Sequence, residues 1–276
     1  MKNSDPPQIS PATGARSHVV VGRGRLGRSL AAALGCPLLP GHDAKTLPDG
    51  SLCLIAVPDQ HIAAVAARLE GRNCAGVHLS GACDLEPLSP LAARGWETGS
   101  FHPMQSFPAV RGAEAFRHSF FAIDGNSESL CAQLERLATQ LGGFCARVPG
   151  ARRAAYHAAA TMAGPLVVAL VSLAVRQFAR AGLEPEQALD ALQPYLAGTL
   201  ANLAEQRLPG ALIGPVRRGD RATVARHLGA LAPSARAAYL ALSLEALAMS
   251  REAGLDSTEA DALQELLARP PAMDAD

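Results

Sequence analysis

His18-Val19-Val20-Val21-Gly22-Arg23-Gly24-Arg25-Leu26-Gly27 decides the fold of this chain. The run from His18 to Val21 reads as a buried strand, the glycines as a turn, and Leu26, Leu30, Ala33 and Leu34 as the apolar face of a helix. A G-x-G-x-x-G turn needs each glycine for a separate reason. Gly22 permits the tight turn, Gly24 lets a pyrophosphate approach the backbone, and Gly27 lets the helix lie close on the strand. The helix start then offers N–H groups and partial positive charge to phosphates. Arg23, Arg25 and Arg28 place three cations at a helix end where the macrodipole disfavours them. Either bound anions offset that cost or the side chains extend into water.

Working outward, 276 residues suit two domains, with enough chain for a large core without disulfides or metals. Hydrophobic residues make up 49% and charged residues 18%, and the formal net charge is zero, so no global field favours nucleic acid or an anionic membrane. Six scattered cysteines without a C-x-x-C pair point to a reducing cytoplasm. Residues 1–14 are polar and rich in Pro and Ser, which predicts a disordered tail rather than a signal peptide. Ala158 to Val175 is charge-free, but it is Ala-rich and carries Gly164-Pro165. A helix buried on all sides in a domain or dimer core is therefore expected there, not a membrane span.

In chain order, Cys36 to Pro40 reads as a short second strand. An acidic residue at its far end would hold an adenosine ribose diol, and Asp43 is the nearest candidate, beside His42 and Lys45. With Arg23 close by, a 2′-phosphate is favoured, hence NADP over NAD. Ser51 to Val57 is an apolar run of the kind buried on both sheet faces, stopped by Pro58, with Asp59 placed to cap a helix through Ile62, Val65 and Leu69. Ala75 to Leu79 is the next strand and ends at Ser80-Gly81. Ligands bind at the carboxyl ends of strands in open α/β sheets, so Val57, Pro58, Asp59, His78, Ser80 and Gly81 join Gly22, Arg23, Gly24, Arg25, Leu26 and Gly27 as candidate cofactor residues. Strands are also expected at Trp96–Phe101, Phe120–Ile123 and Phe144–Val148, with a helix through Leu130, Leu134, Leu137 and Leu141.

Beyond Pro149-Gly150 strand signals vanish, which sets the expected boundary between a dinucleotide-binding domain (15–149) and an all-helical domain (150–276). One long helix is expected from Ala151 to Ala181. A second opens at Pro185, a third is lined by Leu196, Leu200 and Leu203, and others run from Asp220 to Leu231, from Pro233 to Ala253 and through Leu263, Leu266 and Leu267. The fold class is α/β, a Rossmann-like doubly wound sheet followed by an all-α domain.

The glycine turn, Ala56-Val57-Pro58-Asp59, His78-Leu79-Ser80-Gly81, His102-Pro103-Met104-Gln105-Ser106-Phe107, Ala155-Tyr156-His157-Ala158-Ala159-Ala160 and Gly214-Pro215-Val216-Arg217-Arg218-Gly219-Asp220 together resemble the Rossmann-like plus DUF2520 proteins. The resemblance covers nearly the whole chain after the tail. It implies an NADP-dependent oxidoreductase related to pyrroline-5-carboxylate reductases, ketopantoate reductases and 6-phosphogluconate-dehydrogenase-like enzymes. It also implies that the helical half forms a homodimer.

The only lysines are Lys2 and Lys45, so the catalytic lysine of the β-hydroxyacid dehydrogenases and usual ketopantoate reductases has no counterpart. Hydride transfer to a carbonyl or imine then needs another proton donor. His157 is the first candidate, with Thr161 one turn later on its face and His102 as competitor; Tyr156 points about a third of a turn away from His157. Each histidine could equally be a hydrogen-bonded core residue. Asn202 and Asp220 could orient a polar substrate, or Asp220 could only cap its helix. No zinc spacing and no G-x-S-x-G frame is present, so neither a metal site nor hydrolase chemistry is expected. The expected reaction moves a hydride to or from a small oxo or hydroxy acid, ketopantoate-like, or a cyclic imine acid. The alternative is a non-catalytic NADP-binding sensor or scaffold.

Overall fold

The computed structural model describes residues 16–43 and 45–271, so the tail read over residues 1–14 lies outside the described residues. The chain divides into two units, Met1–Gly164 and Pro165–Asp276. The first contains β1 (His18–Val21), α1 (Arg25–Leu34), β2 (Leu38–Leu39), β3 (Leu52–Ile55), α2 (Ile62–Arg68), β4 (Ala75–His78) and α3 (Ser89–Ala92). It continues with β5 (Glu97–Pro103), β6 (Phe120–Gly125), α4 (Glu128–Gln140), β7 (Phe144–Arg147) and α5 (Arg153–Ala163).

The strands form one sheet in the order β2-β1-β3-β4-β5-β6-β7. Strands β1 to β5 run parallel, β6 lies antiparallel to β5, and β7 is parallel to β6. Alternate side chains of a strand serve opposite faces. Val20, Leu52, Leu54 and Val77 therefore pack with Leu30 of α1 and Leu130, Leu134 and Leu137 of α4. Val19, Val21, Cys53 and Ile55 pack with Ile62, Val65 and Ala66 of α2 and with Leu88 and Leu91. Both faces are covered, which is why these strands read as continuous apolar runs. The chain leaves β1 toward β2 on one side and returns to β3 on the other. The divergence opens a crevice at the carboxyl ends of β1 and β3.

Local chemistry sets the helix ends. Gly35 adopts φ +60° and closes α1, and the Ser127 hydroxyl accepts from Leu130 N at 3.1 Å to open α4. Asp59 differs from expectation. It begins a 3-10 turn, Asp59–His61, with no side-chain cap, and the turn rather than a capping carboxylate leads into α2.

The second unit holds α6 (Pro165–Arg180), α7 (Pro185–Gln206), α8 (Arg221–Ala230), α9 (Pro233–Glu252) and α10 (Ser257–Ala268). Val224 and Leu228 of α8, Leu247 of α9, and Ala260, Leu263 and Leu267 of α10 form its core. Two helix expectations are corrected. The helix expected from Ala151 to Ala181 is two helices, broken where Gly164 takes φ −117°, ψ −95° ahead of Pro165, which has no N–H to donate. The two helices expected between Pro185 and Leu203 are one, α7, which carries Pro194 in its interior. The units divide at Gly164–Pro165, so α5 belongs with the sheet, whereas the sequence placed the boundary at Pro149-Gly150. Residues Gly150–Arg180 are long and apolar enough in composition to cross a membrane. The break leaves α6 with 16 residues, about 24 Å of helix against a hydrocarbon core of about 30 Å. Within the single chain α6 buries none of its residues, so the expected cover does not come from its own domain, and of the two alternatives a dimer core is the one left open: Val168 is 72% exposed, and Leu166, Val167 and Leu170 are exposed beside it.

Candidate functional site

The glycine turn after β1 and the segment Ala56–Asp59 after β3 meet at the crevice and enclose a cavity of about 310 Å³. Gly24, Arg25, Leu26, Gly27, Val57, Pro58, Asp59 and Ser80 line it, all of them candidates from the sequence, with Leu79 between two of the candidates, and with Ala56 and Phe107, which were not. The three glycines are distinct. Gly22 has φ +123°, and a Cβ there would stand 2.1 Å from the Ala56 carbonyl oxygen. A Cβ on Gly27 would stand 2.0 Å from the Gly22 carbonyl oxygen, so both positions are closed by backbone. A Cβ on Gly24 would meet nothing within 4 Å, because Gly24 faces the open cavity.

The first N–H groups of α1 have no intrahelical acceptor, and this end of the helix borders the cavity. Arg25 Nη1 donates to Pro108 O at 3.0 Å and Arg28 Nε to Arg23 O at 3.0 Å, while Arg23 is exposed beside the turn. Past β2, His42 Nε2 and Asp43 Oδ2 pair at 3.2 Å on the surface. A carboxylate already paired with an imidazole is a poorer ribose ligand than the sequence position alone implied.

Ser80 also lies on the cavity wall, and the groups that surround the Ser80-Gly81 bend come from β4, β5 and α5. His78 is fully buried: its Nε2 lies 2.8 Å from Asp84 O and its Nδ1 accepts from Ser80 N at 3.2 Å. A carbonyl can only accept, so the proton sits on Nε2 and the ring is neutral. Burial pushes its pKa down to about 4, partly opposed by the Asp84 carbonyl. With both nitrogens occupied, His78 braces the Ser80 loop and does not line the cavity, which corrects its placement among the cofactor residues. Ser80 Oγ accepts from Ala82 N and Cys83 N at 3.1 and 3.0 Å, fixing the bend that leads to Gly81.

Gly81 sits against two imidazoles. A Cβ there would lie 2.7 Å from His157 Cδ2 and 2.8 and 2.9 Å from His102 Cε1 and Nε2. The rings of His102 and His157 are edge to face at 6.1 Å. His102 Nδ1 lies 2.8 Å from the Tyr156 hydroxyl, with the rings again edge to face at 5.6 Å. Tyr156 and His157 are neighbours on α5, and His102 of β5 meets both of them. Burial lowers the His102 pKa to about 4, and the charge of Arg153 adds to the effect.

Arg153 was not anticipated. It is fully buried; Nη1 donates to Ser80 O at 3.0 Å and Nη2 to Ala122 O at 3.3 Å, while Nε has no partner among the described residues. The only sequence signal was its spacing, three and four residues before Tyr156 and His157 on one helix. Thr161 follows His157 by one turn on α5 and is half-buried. Asn202 and Asp220 lie in the second unit. Asn202 is exposed on α7, and Asp220 Oδ1 accepts from Thr223 N at 3.0 Å, making it the cap of α8. Among the described residues no three metal-ligating side chains gather.

A crevice at a topological switch point, a glycine turn and a helix start bordering one cavity define a Rossmann-type dinucleotide-binding architecture. Residues 119–246 match the model of the Domain of unknown function (DUF2520). Among solved structures, a Thermotoga maritima protein superposes with a TM-score of 0.70 at 24% identity, over 86% of this chain and 99% of that one. A candidate NADP oxidoreductase of Bacteroides fragilis follows at 0.65 and 23%, over 84% and 98%. A pyrroline carboxylate reductase of Plasmodium falciparum with NADP bound gives 0.54 and 10%, over 92% and 96%. No curated protein matches the chain. The resemblance stated from the motifs agrees with the DUF2520 match, and the structural likenesses extend the fold over both units.

Proposed function

We propose that the chain is an NADP-dependent oxidoreductase that moves a hydride to or from a small oxo or hydroxy acid, with a cyclic imine acid as the second substrate class. The observation that carries this reading is the cavity at the β1/β3 crevice, where Gly24 alone of the three glycines faces open space. A pyrophosphate fits that approach, the N–H groups of α1 would hold it, and exposed Arg23 would pair with a 2′-phosphate. When bound, the cofactor supplies the hydride. Ser80 on the cavity wall adjoins Gly81, against which His102 and His157 pack. The NADP of the Plasmodium reductase and the oxidoreductase description of the Bacteroides protein support the same class. Neutral net charge agrees with a cytoplasmic enzyme acting on a small molecule rather than on nucleic acid or a membrane.

The test is titration with NADPH and NADH, followed by NADPH oxidation against ketopantoate and pyrroline-5-carboxylate. Arg23→Ala should reduce the preference for NADPH about tenfold, the weight of one charge-assisted hydrogen bond. An unchanged affinity ratio removes Arg23 as discriminator. Tight NADPH binding with no turnover on any acid would favour the non-catalytic sensor or scaffold.

We also infer a homodimer through the helical unit. Leu166, Val167, Val168 and Leu170 of α6 are exposed together. An apolar groove of about 780 Å³ in the same unit, walled by Leu173, Phe178, Leu231 and Leu242 among others, offers further surface to bury. Sedimentation at micromolar concentration should find twice the 28.6 kDa chain mass. Monomer alone at that concentration overturns the dimer.

A further inference from the structure

We propose that Asp59 and Ser80 hold the carboxamide of the nicotinamide ring, the Asp59 carboxylate accepting from the amide N–H and the Ser80 hydroxyl donating to the amide oxygen. The proposal rests on the dinucleotide reading and assigns the far end of the same cavity.

Sheet order gives the ligand its direction. The adenosine end of a dinucleotide lies past β2, and its pyrophosphate lies at the turn between β1 and α1. With strands in the order β2-β1-β3-β4 and neighbours about 4.8 Å apart, the other half runs over the ends of β3 and β4. Asp59 follows β3, Ser80 follows β4, and both line the cavity. The wall around them is apolar, made by Ala56, Val57, Pro58, Leu79 and Phe107. Arg25, the remaining charged residue of the lining, stands at the start of α1, where Nη1 donates to Pro108 O at 3.0 Å. A flat ring suits the apolar surface, and its one polar substituent needs one donor and one acceptor.

Hydrogen-bond accounting assigns those two parts. Ser80 N donates to His78 Nδ1 at 3.2 Å, and Ser80 O accepts from Arg153 Nη1 at 3.0 Å. Ser80 Oγ accepts from Ala82 N and Cys83 N at 3.1 and 3.0 Å, which uses both lone pairs of the hydroxyl and leaves its proton as the one donor still to be placed. Asp59 caps no helix, and an ionised carboxylate can only accept. The Cys83 thiol joins the two residues. Burial raises its pKa, a hydrogen bond with Ser80 opposes the rise, and Asp59 adds to it through its charge and a hydrogen bond of its own. One side chain thus reaches both groups, which puts donor and acceptor side by side. Sulfur is a weak partner to either, so an amide displaces it at little cost.

Other ligands use only half of the pair. A protonated imine offers Asp59 an N–H but gives the Ser80 proton no acceptor. An oxo acid gives Ser80 a carbonyl, while its own carboxylate is repelled by Asp59. An amide satisfies both at once.

Calorimetric titration of the full-length protein with NADP+, its 3-acetylpyridine analogue and 2′,5′-ADP is the test. The analogue replaces the amide NH2 by methyl and keeps the carbonyl, the ring charge and the phosphates, so its affinity relative to NADP+ isolates the N–H bond to Asp59. The third probe has no nicotinamide. Wild type should bind NADP+ about tenfold more tightly than the analogue, the weight of one hydrogen bond to a charged group. Asp59→Ala should bring the two affinities within about twofold of each other and leave 2′,5′-ADP binding unchanged. Ser80→Ala should weaken NADP+ and the analogue by the same factor, since both keep the carbonyl, again sparing 2′,5′-ADP. Equal affinities in wild type, a preference that survives in Asp59→Ala, a loss of 2′,5′-ADP binding in that variant equal to its loss of NADP+ binding, or undiminished NADP+ binding by Ser80→Ala overturns the proposal. Wild type that binds neither NADP+ nor 2′,5′-ADP rejects the dinucleotide reading itself.

Discussion

Gly22→Ala should destabilise the sheet unit by more than about 4 kcal/mol and leave little folded protein at 37 °C. Two costs combine at this position. The residue holds φ +123°, where L side chains are strained, and its Cβ would stand 2.1 Å from the Ala56 carbonyl oxygen. Neither partner can retreat, because β1 and β3 are bound in register from His18 opposite Leu52 to Val21 opposite Ile55, and both strands are buried on each face. Gly24→Ala is the control. Its backbone angles, φ −66° and ψ 174°, suit alanine, and no atom lies within 4 Å of the added methyl group. It should stay within about 1 kcal/mol of wild type while weakening NADPH binding, because the methyl group would occupy the approach to the cavity. Thermal unfolding followed by circular dichroism separates the two; a melting temperature for Gly22→Ala within about 3 °C of wild type would contradict the argument.

Gly81→Ala should do the reverse, sparing the fold and cutting turnover by about 10²-fold or more. The new Cβ would press on ring atoms of two histidines at 2.7 to 2.9 Å, closer than real contacts allow, so one or both imidazoles must shift. His102 cannot move without stretching its 2.8 Å contact to Tyr156. Side chains can give way where backbone cannot, which is why the damage falls on geometry rather than on folding. NADPH affinity should be preserved, since Gly81 does not line the cavity. Steady-state kinetics beside a cofactor titration reads both effects, and a variant with wild-type kcat would detach the histidine pair from the chemistry.

These expectations mark what the sequence could and could not reveal. The glycine turn was legible because its constraints are local: each glycine answers to atoms within one strand–turn–helix unit or to the next strand beside it. The apolar strands were legible for the same reason. The break at Gly164 was less so, since alanine-rich sequence on either side suits helix and only the Gly-Pro pair signalled the interruption. The two helices expected after Pro185 are one in the structure, α7, and Pro194 inside it does not end it, because an exposed helix can lose one backbone hydrogen bond and continue. His78 and Arg153 were opaque. Their roles depend on carbonyls at Asp84, Ser80 and Ala122, which the folding of separate strands brings into reach and which no spacing announces. The contact of His102 with Tyr156 was opaque as well, because helix geometry gives directions around an axis and not the position of a ring arriving from β5.

The placement of sulfur has a practical consequence. Cys36, Cys53, Cys74, Cys83, Cys131 and Cys145 all lie before Gly164, and residues 165–276 contain no thiol. Burial holds Cys36 at about 11 and pushes Cys53, Cys83, Cys131 and Cys145 upward as well. Since the thiolate is the reactive form, these shifts slow attack by a disulfide reagent, and Cys53, Cys74 and Cys131 are also buried. An opening of the sheet unit that uncovers one of these three is then recorded as a modified sulfur, while motions of the helical unit leave no mark. Thiol exchange on the unaltered chain is thus a clock for one half of the molecule alone.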